Sequence, residues 1–81
     1  MPKRMNIFNI EPNMKATISK VKDGDTTYKV EMVVKEELSH VAIVRLREFL
    51  KNTNKFQGTS HYVTLFGSKG KKIDQTTLYI I

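Results

Sequence analysis

Two apolar–polar alternations facing each other across a glycine constrain the fold of this chain more than any other feature. Met14, Ala16 and Ile18 alternate with Lys15, Thr17 and Ser19, and Tyr28, Val30, Met32 and Val34 alternate with Lys29, Glu31 and Lys35. A period of two marks a strand with one buried face. Between the two runs, Lys22-Asp23-Gly24 suits a three-residue loop with a type I turn and Gly24 in the left-handed position. That loop predicts a hairpin in which Ile18 opposes Tyr28, Ala16 opposes Val30 and Met14 opposes Met32, with Lys15 facing Glu31 on the other side. Slipping by one residue would oppose Ile18 to Lys29 and mismatch the apolar faces.

A helix is expected next, near Leu38 to Asn52. Leu38, Ala42, Leu46, Phe49 and Leu50 recur at helical spacing, with Val41 and Ile43 at the margins. Ser39 is placed to cap its N-terminus, and Leu38 with Ile43 to staple it. Glu36 and Glu37 suit the positive end of the helix dipole and Lys51 the negative end. A second hairpin should follow: Ser60 to Phe66 is rich in β-formers, Gly67-Ser68-Lys69-Gly70 supplies a turn, and Lys72 to Ile81 returns. Met5 to Ile10 adds an optional short strand that Glu11-Pro12 ends. The fold class expected is therefore α+β: a small antiparallel sheet of two hairpins, plus that optional strand, with one amphipathic helix packed on it in the order (β)ββαββ.

At 81 residues and 40% hydrophobic content, residues 1–81 fit a single domain. The absence of cysteine excludes disulfides, thiolate zinc sites and cysteine nucleophiles, and makes a reducing cytoplasm the expected compartment. Met1-Pro2-Lys3-Arg4 precedes no apolar run of signal-peptide or membrane-spanning length, so no membrane association is expected. The net charge is +6, and from Phe49 onward five lysines face only Asp74. Such a basic half attracts phosphate or acidic partners.

Chemistry-bearing motifs are sparse. His40 and His61 lie in separate elements without paired-ligand spacing, so no metal is expected; they read as an exposed helix histidine and a strand-edge histidine. Asp23 and Asp25 flank a turn glycine and lack the oxygen ligands of a calcium loop. Glu36-Glu37 do not converge as an acid–base pair, and Ser60-His61 has no orienting partner, so the chain is not expected to be an enzyme or to carry a cofactor. Gly67-Ser68-Lys69-Gly70-Lys71-Lys72 departs from the order of a nucleotide-binding loop. It reads as a lysine-rich hairpin tip able to hold phosphate, or as a solvated turn that blocks edge pairing.

The expected function is nucleic-acid binding, to DNA or RNA, without catalysis. Phosphates would meet Lys69, Lys71 and Lys72 at the tip, Lys51 and Lys55 at the helix end, and Lys3 and Arg4 in the N-terminal arm. Tyr62 and Phe66, on one strand face, would stack bases if they are not core. The alternative is a protein-binding or inhibitory module, such as a phage-type host modulator or a subunit of a complex. It would use Val44, Tyr79 and Ile81 to meet a protein partner or a second copy.

Overall fold

A computed structural model describes residues 6–11, 14–21 and 26–81. Five strands form one sheet: β1 (Asn6–Glu11), β2 (Met14–Lys20), β3 (Thr27–Val33), β4 (Thr59–Phe66) and β5 (Lys72–Ile80). The helix α1 (Ser39–Lys51) connects β3 to β4, with a 3-10 turn on either side, Glu36–Leu38 and Asn54–Phe56. Strand order is β1-β2-β3-β4-β5, so every strand lies beside its neighbours in sequence.

The sheet is mixed, which corrects the expectation of two antiparallel hairpins. β1–β2, β2–β3 and β4–β5 are antiparallel, but β3 and β4 run parallel, from Thr27 beside Ser60 to Val33 beside Phe66. The cause is the helix. It leaves the end of β3, travels back along one face and delivers the chain to the end where β3 began, so β4 must start in the same direction. The N-terminal strand is likewise no optional addition, since β1 pairs with β2 over most of its length.

The first hairpin keeps its expected faces but not its expected register. Ala16 lies opposite Met32, Ile18 opposite Val30 and Lys20 opposite Tyr28, two residues from the expected pairing. Glu31 therefore faces Thr17 instead of Lys15. The Val21 amide donates to the Thr27 carbonyl at 3.0 Å, which makes the connection longer than a three-residue loop. Lys22-Asp23-Gly24 itself lies outside the described residues.

One face of the sheet packs on the helix. Met14, Ala16, Ile18, Val30, Met32, Val63, Leu65, Leu78 and Ile80 contribute from the strands, and Ala42, Leu46 and Leu50 from α1. Phe8, Ile10, Ile43 and Phe49 close the margins. Ser39 is not the helix cap. Its backbone is already helical (φ −58°, ψ −44°) and no side chain caps the helix N-terminus, because the preceding 3-10 turn takes the Ser39 amide onto the Glu36 carbonyl. Leu38 is correspondingly exposed and does not staple the helix to the core.

Candidate nucleic-acid interface: the uncovered sheet face

Among the described residues, no element covers the second face of the sheet. Strand alternation and register place Thr27, Ser60 and Tyr79 in one row across it, followed by Ser19, Lys29, Tyr62 and Thr77. The next row holds Ile7, Thr17, Glu31, Thr64 and Gln75. Val33, Phe66 and Lys72 lie beyond, with Lys15 at the β2 side. Tyr62 is 50% exposed and Tyr79 72%, while Phe66 is half-buried. Large aromatic rings left in water on a sheet surface need a reason, because burial would stabilise each by about 1.5–3 kcal/mol. Among the described residues the charged side chains of this face are Lys15, Lys29, Lys72 and Glu31, three cations to one anion.

Tyr62 and Phe66 do share a face and it is not the core. Their position on β4 follows from His61, Val63 and Leu65 taking the helix side. Tyr79 joins them: Ser60 pairs with Tyr79 and Tyr62 with Thr77, which makes Tyr62 and Tyr79 diagonal neighbours, about 7–8 Å apart. An open hollow of about 730 Å3 lies toward the other end of the face, lined by Ile7, Lys15, Thr17, Glu31, Val33 and Phe66.

The expected phosphate-binding residues do not form one patch. Lys69 and Lys71 lie in the β4–β5 turn, where the Gly70 amide donates to the Gly67 carbonyl at 2.8 Å and the Gly67 amide to the Lys71 carbonyl at 2.7 Å. Gly70 has φ +84°, which a side chain would strain. This turn shares a depression with Lys35, Glu36 and Glu37, so two carboxylates offset part of the charge of three lysines there. Lys72 donates to Gln75 Oε1 at 3.0 Å. Lys51 and Lys55 lie at the opposite end, where the helix returns to the start of β4, about 25 Å away along the strand. Lys55 Nζ sits 5.3 Å from the centre of the Phe56 ring and 5.6 Å from that of Phe8, which makes it a cover for the aromatic core. Lys3 and Arg4 lie outside the described residues.

The three expected partner residues are also divided. Val44 is exposed on the helix, on the other side of the sheet from Tyr79, and Ile81 is fully exposed just past β5. The pattern reading placed Lys15, Lys29 and Glu31 on the polar face of the first hairpin without naming them as candidate binding residues. The signal was present in their alternation with buried neighbours.

His61 is not a strand-edge residue. β4 is paired on both sides, and the imidazole is completely buried, stacked 5.0 Å from Tyr28 and edge-on to Phe56 at 5.2 Å. The Thr59 hydroxyl donates its proton to the Phe56 carbonyl (2.6 Å), so at 2.7 Å it can only accept from His61 Nε2. The ring is therefore the Nε2–H tautomer, and Nδ1 is a buried acceptor without a partner among the described residues. Burial lowers its pKa from 6.5 to about 4.

No group of three or more metal-ligating side chains is assembled among the described residues, and no described helix is long and apolar enough to cross a membrane. No protein-family model, curated protein or solved structure matches the chain.

Proposed function

We propose that this domain binds single-stranded nucleic acid without catalysis, laying bases on the uncovered sheet face. The observation that carries this reading is the display of Tyr62, Phe66 and Tyr79 on that face among Lys15, Lys29 and Lys72. A single strand offers both things such a surface takes up, flat base faces for the rings and phosphates for the ammonium groups. A duplex hides its base faces, so it would engage only the cations. The lysines of the β4–β5 turn extend the cationic rim beyond Phe66, weakened by Glu36 and Glu37 beside them. His61, which follows Ser60 in sequence, belongs to the core on the far side of the sheet.

The test is fluorescence anisotropy with thymidine and uridine decanucleotides and a duplex of equal length, across a salt series. The single strands should bind more tightly than the duplex, with affinity falling as salt rises. Tyr62→Ala and Tyr79→Ala should each weaken single-strand binding by about 1–3 kcal/mol and leave the weaker duplex binding unchanged. Equal binding to both forms, or tyrosine variants without effect, would remove the sheet face from the interaction.

A further inference from the structure

Glu31 is an anomaly on a surface for phosphates. It stands in the middle of the uncovered face, between Thr17 on one neighbouring strand and Thr64 on the other, and it is the one carboxylate among that face's described residues. Among the described residues no ion pair or side-chain hydrogen bond holds it, although Lys15 lines the same hollow. A free carboxylate there repels a phosphate backbone and so lowers affinity for every sequence alike, unless a base repays it with donated protons.

Resting on the single-strand reading above, we propose that Glu31 is a specificity-determining residue that selects guanine, seated in the hollow beside Phe66. The chemistry singles out that base. A carboxylate accepts two parallel N–H bonds, and guanine alone among the standard bases presents two adjacent donors on its Watson–Crick edge, N1–H and N2–H. Adenine and cytosine pair one amine with an adjacent ring acceptor that the carboxylate would repel. Uracil and thymine flank one N–H with two carbonyls. The surroundings fit the assignment: Phe66 gives a ring for the base to stack on, Ile7 and Val33 give apolar walls, and Lys15 gives a cation for the attached phosphate.

The experiment compares thymidine decanucleotides carrying one central guanine, inosine or adenine, titrated into the intact protein and into Glu31→Gln. The parent should favour guanine over adenine by about tenfold or more, with inosine, which lacks the 2-amino group, between them. In Glu31→Gln, one acceptor oxygen becomes a donor. The preference should collapse to less than about twofold, while binding to plain thymidine holds or rises as the negative charge is removed. Glu31 takes no part in the core, so an unchanged melting temperature checks the fold of the variant. Salt-sensitive binding of all three oligonucleotides with equal affinity, or a guanine preference that survives in the variant, would overturn the role of Glu31 and leave the single-strand reading standing. No binding of any oligonucleotide at low salt would overturn the single-strand reading, and this inference with it.

Discussion

Buried histidines are tolerated when both ring nitrogens are satisfied, and His61 satisfies only one. The alternation of β4 already put it there: two residues before Val63 and four before Leu65, it must point with them into the helix side. Reading it as a strand-edge residue underestimated how far β4 is enclosed, which depends on the parallel partner β3. The consequence is a pH dependence. The unfolded chain takes up the proton near pH 6.5, while the folded domain resists until about pH 4. Stability should therefore be level above pH 6.5 and fall as the pH drops from there toward 4, by up to about 3 kcal/mol from this residue. Urea denaturation at neutral pH and at several points below it, compared with His61→Phe, measures this. The variant should show a clearly smaller loss across that window; identical slopes would mean that His61 is solvated or already paired.

At the scale of elements, what was legible was which side chains share a face. Ala42, Leu46 and Leu50 on the helix and the two faces of β2 and β3 follow from periodicity alone, whereas β4 and β5 carry apolar residues on both faces, so alternation groups their side chains without saying which group is core. Register and direction were not legible, for a physical reason. Moving a strand by two residues returns every side chain to the same face, so alternation cannot tell the pairing of Ile18 with Val30 from its pairing with Tyr28. Nor does alternation record whether the neighbouring strand runs parallel, and β4 reads the same in either arrangement. Ser39 illustrates local chemistry overruled by what precedes it. A serine before an apolar helical run is a good cap in isolation, but the turn Glu36–Leu38 draws it into helical geometry. Ser39→Ala should consequently alter the unfolding free energy measured in urea by less than about 0.5 kcal/mol, whereas loss of a true cap costs about 1 kcal/mol.

For the molecule as a whole, one helix against five strands leaves a sheet with two unlike sides. The helix side is closed by the core and by an aromatic cluster in which Phe8, Phe49, Phe56, Tyr28 and His61 meet edge to face or stacked. The other side leaves Tyr62 and Tyr79 exposed. The net charge of +6 raises the expectation of an anionic partner without saying where one would bind, because charge is summed along the chain and a surface is assembled across strands. Lysines adjacent in sequence at the β4–β5 turn are partly offset by Glu36 and Glu37, while Lys15, Lys29 and Lys72, distant in sequence, share one face. Amide chemical-shift mapping during titration with a single-stranded decanucleotide tests that placement most directly. The shifts should concentrate on Lys15, Thr17, Lys29, Glu31, Tyr62, Thr64, Phe66, Thr77 and Tyr79, and spare the exposed helix residues His40, Val44 and Arg47. Shifts confined to the helix or to the β4–β5 turn, with the sheet face silent, would contradict it.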